Sequence, residues 1–327
     1  MQKINKVLLL AGLVFFCSSA YSQESTAQKQ ATTITEQDIP IKCTQVINLG
    51  FDAGPVAVDS KGNIYTTGGK GIKVYDKLGQ LEFDFGLNDS VYVNKVYGKE
   101  MCGIGGIDID EKDNIYISNA ALVTVEVFTT AGEFKKKISF PPPPGKGMWA
   151  AEDIAVDSAT IYTIAYGEAN IYIFTPDGLL LKRWNKPKEE EKDGSFGAIS
   201  SIATDRYSSH KQKRIYVGAY SSGRVYVFDK NRRLLFTFGN RGANLGEFLD
   251  INGIDVDSEG NIYVLDGAYG ACSVFNTDGK FLYQFGHKGE MAKTLYFSKG
   301  IFIDKNDKIY IGNGARNNIL VWEKVKK

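Results

Sequence analysis

An aspartate that closes a short apolar strand recurs six times in this chain, as Asp59, Asp110, Asp157, Asp205, Asp257 and Asp304, at spacings of 51, 47, 48, 52 and 47 residues. Periods of this size mark a repeat architecture in which each copy is one supersecondary unit. The stretch Gly253 to Gly286 shows the unit most clearly. Ile254–Asp257 alternates apolar and polar residues, a turn follows at Gly260, and Ile262–Leu265 is rich in β-formers. Cys272–Asn276, a turn at Asp278-Gly279, and Phe281–Phe285 complete four short strands, a meander.

The second strand carries Ile-Tyr in every copy, and the third ends each time in an aromatic: Tyr75, Phe128, Phe174, Phe228, Phe275 and Trp322. A four-stranded sheet that is apolar on both faces must stack on copies of itself, and radial stacking into a propeller does so while leaving only short edges. The last copy has three strands and then stops. Its missing fourth strand matches Thr44–Gly50, TQVINLG, which resembles LEFDFG at Leu81 and LLFTFG at Leu234. The fold class is therefore all-β: a six-bladed β-propeller of four-stranded antiparallel blades, with the N-terminal strand closing the ring.

Units such as VAVDSKGNIYTT at Val56 and IDVDSEGNIYVLD at Ile254, each followed by a VxVF-type strand and a DG turn, resemble NHL repeats over Thr44 to Lys327. The resemblance implies the propeller fold, in a bacterial exported form. It does not choose a function, because one fold hosts many. The chain departs from the family pattern after the second strand, where the usual aspartate survives only as Asp266, with Asn119 and Asn313 as partial matches.

Lys3 and Lys6 precede an apolar run, Val7 to Phe16, and then small residues up to Ser22, which reads as a secretory signal peptide over residues 1–22. Ten apolar residues are too few to span a bilayer. Cys17 offers a lipid-anchor alternative, with Phe16 against it where a small residue is expected. Residues 23–43 read as a disordered polar leader, and 44–327 as the propeller. The protein is thus expected in the periplasm or outside the cell.

Removing Lys3 and Lys6 lowers the 39 basic residues to 37 against 38 acidic ones. A nearly neutral chain gives no electrostatic reason to expect nucleic acid or an anionic membrane as partner. Outside the signal stretch the cysteines are Cys43, Cys102 and Cys272, an odd number that cannot be fully paired and reads as buried or inert thiols.

Connections between blades share one face with the loops joining second to third strands, and on that face lie the insertions 87–105, 139–153, 185–201, 239–252 and 286–299. Long loops on a rigid scaffold carry binding. This face also gathers Met148 and the aromatics Trp149, Tyr166, Tyr220, Phe248, Tyr269 and Tyr296, candidates for gripping a peptide or stacking on a sugar. The four prolines Pro141 to Pro144 read as a rigid spacer, and the charge run KPKEEEKD at Lys186 as a solvated loop. The six repeated aspartates read as caps of their own turns. Asp108 and Asp255 stand in innermost strands where the other copies carry Ala57, Ala155, Ala203 and Phe302, and buried carboxylates there need partners.

Two enzymatic readings stand beside a binding one. A zinc site of the amidating-lyase type needs several histidines, and the chain has only His210 and His287, on opposite faces. A lactonase-type site would draw on the entrances of the innermost strands, which read AGP at Ala53, GGI at Gly105, EDI at Glu152, SSI at Ser200, NGI at Asn252 and KGI at Lys299. Ala53 stands where that resemblance implies an acid, and Lys299 places a cation at the ring. The reading is an exported, non-catalytic binding or sensory scaffold for a cell-envelope protein, peptide or carbohydrate, with no cofactor and no metal. The alternative is a metal-dependent hydrolase or lyase around Asp108, Glu152, Asp153, Asn252 and Asp255.

Overall fold

The computed structural model describes residues 39–325 apart from 69–70, 87–90, 95–98, 121, 142–150, 166–169, 185–195, 197, 209–212 and 290–292. Residues Pro40–Lys327 form one compact unit, a ring of six four-stranded antiparallel sheets. The innermost strands are Val56–Val58, Ile104–Ile109, Ala151–Val156, Ile199–Thr204, Ile251–Val256 and Ser298–Ile303, defining blades 1 to 6 in chain order. The last blade runs Ser298–Ile303, Ile309–Asn313, Asn318–Lys324 and then Ile41–Asn48, so the ring is closed by the N-terminal strand as the repeat count requires. That strand begins at Ile41, three residues earlier than the TQVINLG pattern suggests. It pairs in register from Ile41 with Lys324 to Asn48 with Asn318, and the N–H of Val325 donates to Pro40 O.

The aromatic that ends each third strand is a wedge between blades. Phe128 meets Phe85 of blade 1 at 5.1 Å between ring centroids, Phe228 meets Trp184 of blade 3 at 4.7 Å, Phe275 meets Phe238 of blade 4 at 4.5 Å, and Trp322 meets Phe285 of blade 5 at 4.9 Å. The fourth-strand aromatic of one blade thus packs on the third-strand aromatic of the next, and burying such rings supplies much of the energy that holds blades together.

The repeated aspartates cap their own turns. Asp59 accepts the backbone N–H groups of Lys61 and Asn63 at 2.9 and 2.8 Å, and its other oxygen accepts the Asn63 amide and the Tyr65 hydroxyl. Asp110 and Asp257 repeat the pattern with Tyr116 and Tyr263, which explains the invariant Ile-Tyr of the second strands. Two turns also reach across blades: Ser60 donates from N and Oγ to Asp113, and Ser258 does the same to Asp307.

The connection between blades 1 and 2 is not a plain loop. It carries an extra hairpin, Val91–Asn94 paired with Lys99–Cys102, whose VYVN stretch has β-formers in series. Among the described residues no helix is long and apolar enough to cross a membrane.

Candidate functional site

Each innermost strand starts at the long-loop face and runs inward, so the residues at its start ring the mouth of the central channel and those near its end form the floor. Glu152, Ser200, Asn252 and Lys299 ring that mouth; Asp108, Asp255 and Phe302 lie deeper with Arg206, and together they line one funnel of about 80 Å³. A group the size of a small acid fits inside, and anything larger must lie across the opening. Glu152 is in blade 3 and Lys299 in blade 6, three blades apart around a six-blade ring, so the acid and the cation face each other across the mouth.

Four of the five carboxyl and amide candidates are bound into the scaffold. Asp153 accepts its own neighbour's N–H from Ile154 at 2.9 Å with one oxygen, and Ile202 N–H and Ser201 Oγ–H of blade 4 with the other. Asp108 accepts the N–H of Ile109 at 2.9 Å and of Val156 in blade 3 at 2.7 Å. Asp255 accepts Val256 N–H at 2.9 Å and Ile303 N–H of blade 6 at 2.6 Å. Each thus staples its blade to the next. Asn252 donates its amide to Ser298 O, and Ser200 donates to Ile251 O, so both are also held across a blade boundary.

Glu152 is different. It is partly buried and neither oxygen accepts a hydrogen bond from any described residue. Burial pushes its carboxyl up to about 7, with the neighbouring charge of Asp153 adding to the effect. Burial also holds Asp153 and Asp255 up to about 7 against the pull of their backbone hydrogen bonds and, for Asp255, of the Arg206 charge. Asp108 is raised by burial and drawn back by Arg206. A carboxyl that is free, half-buried and poised near neutrality is equipped to move protons.

Arg206 was not foreseen. It follows the capping Asp205, at the position taken elsewhere by Ser60, Glu111, Ser158, Ser258 and Lys305, and turns into the channel from the opposite face. Its guanidinium donates to the Asp108 carboxylate in a buried ion pair, lies 4.8 Å above the Phe302 ring, and has Tyr207 on its other side. An arginine in place of a small or turn residue, in a chain with two aspartates in innermost strands, was the available signal.

The four predicted aromatics among the described residues do not gather at the mouth. Phe248 is fully buried in the core between blades 4 and 5, 5.9 Å from Phe275, and offers a ligand no surface. Tyr269 is partly buried and donates to Gly242 O, while Tyr296 packs on Phe297 beneath the cations of Lys288 and Arg316. Tyr220 is partly buried, with its carbonyl accepting from Arg241. None of these four lines the funnel. Trp149, Tyr166, Met148, His210, Pro142 to Pro144 and the run 186–193 lie outside the described residues.

A divalent cation does not fit this ring. Among the described residues no three His, Cys, Asp or Glu side chains form a group able to hold a metal ion. The carboxylates of Asp108, Asp153 and Asp255 are spent on backbone N–H groups, and Lys299 faces the same opening. Of the cysteines with described side chains, Cys43 and Cys272 are unpaired, and burial pushes both thiols up, away from reactivity.

The sequence model of a family described as "6-bladed beta-propeller" matches residues 197–271, from just before the first strand of blade 4 to the first residue of the third strand of blade 5. No curated protein matches the chain by sequence. Among solved structures, a streptogramin B lyase is 12% identical with a TM-score of 0.57, covering 86% of this chain and 97% of that one. A catalytically inactive variant of virginiamycin B lyase from Staphylococcus aureus, with quinupristin, is 15% identical with a TM-score of 0.55, covering 85% and 84%. The WD40 propeller domain of Doa1 is 10% identical with a TM-score of 0.56, covering 87% and 97%. At such identities the likeness establishes architecture. The described aromatics meant to grip a partner do not converge, and the propellers similar in build include lyases, so the non-catalytic scaffold that the sequence suggested is withdrawn. The chain is a six-bladed β-propeller of four-stranded antiparallel blades, closed by its two terminal strands.

Proposed function

We propose that the protein is a lyase, or failing that a hydrolase, that works without a metal at the long-loop mouth of the channel, with Glu152 as the acid–base group. The observation that carries this reading is a half-buried carboxyl held near neutrality, with no hydrogen bond among the described residues, at the rim of a polar funnel. Glu152 as carboxylate takes a proton from carbon beside a carbonyl. The electron pair moves onto the carbonyl oxygen as an enolate, which Lys299 across the ring and the oriented Asn252 amide stabilise. The pair then returns to form a carbon–carbon double bond as the β-substituent leaves, taking its proton from Glu152.

Elimination takes precedence over hydrolysis because it asks for one proton carrier and one cation, and the mouth holds both. The related lyase variant is inactivated by exchanging a histidine for alanine. Here no described histidine lines the funnel, and His287 is exposed on a loop, so the substrate of that enzyme is not carried over.

Residues 1–22 as a signal peptide and a polar leader from 23 up to the closing strand at Ile41 belong to the same proposal, as does kinship with NHL-repeat proteins. Export makes peptides and carbohydrates of the cell envelope the first substrate classes to try. The test is a panel of β-substituted carbonyl compounds, lactones and esters assayed in 18O-labelled water. Elimination yields an alkene absorbance without label, hydrolysis yields labelled acid, and in either case the rate should follow an ionisation near pH 7 that Glu152→Gln abolishes. A rate indifferent to Glu152→Gln on every substrate would sink the proposal.

A further inference from the structure

The floor of the funnel holds a cation with donors to spare. The Arg206 side chain is 8% exposed, yet its Nε and one terminal nitrogen, Nη1, are buried with no hydrogen-bond partner. The third nitrogen is committed to Asp108, and the Tyr207 hydroxyl also interacts with the side chain. Buried guanidinium N–H groups left unpaired are costly, and native structures keep them where a ligand or water completes the set. The described channel walls do not complete it: Asp108 and Asp255 accept backbone N–H groups from the next blade and neither bonds Nε or Nη1, and Phe302 presents a ring face.

The surroundings select the partner. Planar guanidinium donors match oxygen acceptors best when those carry charge, and a carboxylate is the matching small group. Two cations, Arg206 at the floor and Lys299 at the mouth, line a funnel of about 80 Å³, which admits a carboxylate and its first carbons and little more. A phosphoryl or sulfo group would add a third oxygen and a second or bulkier charge to a floor already shared by Asp108 and Asp255.

We propose that Arg206 is the specificity residue of the site, and that it reads a carboxylate on the substrate, seated at the floor of the funnel with the reacting carbon above it near Glu152. This rests on the enzymatic reading for its meaning but not for its test. The substrate class becomes an acid whose carboxylate is the deeply buried end and whose bulky remainder lies across the long-loop face.

The experiment titrates the full chain with propionate and, as its uncharged counterpart of the same shape, propionamide, by calorimetry and by following the Arg206 Nε–H resonance. Propionate should bind at least tenfold more tightly than propionamide and shift that resonance. Arg206→Lys keeps the charge beside Asp108 but loses the planar fork, and should reduce the preference to under threefold. Equal binding of acid and amide to the wild-type chain, or an unmoved Nε–H resonance, overturns the proposal, and neither readout depends on a variant folding. Carboxylate binding without turnover of any substrate would remove the enzymatic reading and leave Arg206 as the reader of an acid. Turnover that depends on Glu152 with uncharged substrates alone would do the reverse.

Discussion

The N–H of Ile303 in blade 6 donates to the carboxylate of Asp255 in blade 5 at 2.6 Å, forty-eight residues away in sequence, and Val156 of blade 3 donates in the same way to Asp108 of blade 2 at 2.7 Å. The two aspartates perform one task at two boundaries of the ring. Replacing Asp255 by Leu removes the acceptor and strands a buried N–H, at a cost of about 1–3 kcal/mol. Urea denaturation should show that loss, and Asp255→Asn, which retains one acceptor, should show less of it.

The pH dependence of stability follows from the same groups. Glu152, Asp153 and Asp255 each titrate near 7 in the folded chain, above the ordinary carboxylate range of the unfolded one. The folded state therefore binds more protons between those values, and the stability they contribute is full below about pH 4 and is lost as pH rises through about 7. Melting temperature measured between pH 5 and pH 8 should fall on the alkaline side, and Asp153→Asn with Asp255→Asn should flatten the slope.

Glu152 separates function from stability. With no hydrogen bond to another described residue, Glu152→Gln should cost no stability at pH 5 and should raise it at pH 8, where the wild-type carboxylate is ionised in a partly buried place. Turnover should drop by about 10² to 10⁴, the usual contribution of a general acid or base. Paired denaturation and kinetic measurements on one preparation decide the point, and a large stability loss would recast the residue as structural.

The buried ion pair of Arg206 and Asp108 makes a different prediction. Arg206→Met leaves Asp108 as a buried charge without its partner and should destabilise by about 3–5 kcal/mol, whereas Arg206→Met with Asp108→Leu should recover only part of that, since Val156 N–H then loses its acceptor. A double-mutant cycle by chemical denaturation measures the coupling. Additive losses would mean that the pair does not act as a unit.

Phe248 tests the corrected reading of the long-loop aromatics. It is fully exposed to core and not to solvent, beside Phe275, so Phe248→Ala should cost about 3–5 kcal/mol through the cavity it leaves. A thermal melt reads this directly, and a change of turnover without loss of stability would return the residue to the binding surface.

The architecture was legible because every structural demand of a propeller is written six times. Asp59 and its five counterparts, the Ile-Tyr pairs and the third-strand aromatics each repeat in phase, and Trp322 without a following strand points to the opposite end of the chain for its partner. The site was only half legible. Glu152 and Asn252 were visible as polar residues at strand starts, and Asp108 and Asp255 as charges in apolar company. Nothing in the string distinguishes the free carboxyl of Glu152 from the stapled one of Asp153 beside it, because that difference lies in which neighbouring-blade N–H falls within reach. The aromatics misled for a related reason: residues of one chemical kind on loops of one face share no common centre, and Phe248 is drawn inward by Phe275 and Phe238. Arg206 stayed hidden because its chain position belongs to the opposite face, and only the length of its side chain carries it into the channel.

The clasp between Ile41–Asn48 and Asn318–Lys324 fixes how the ring responds to mechanical load. Ile41 sits opposite Lys324, so the two ends of the propeller leave from the same end of the pair. Tension on both ends acts on one pair of hydrogen bonds at a time, beginning at Ile41 and Lys324 and running toward Asn48 and Asn318. The ring resists heat through cores shared between blades, yet under traction it opens like a zip from the one blade that both ends of the chain complete.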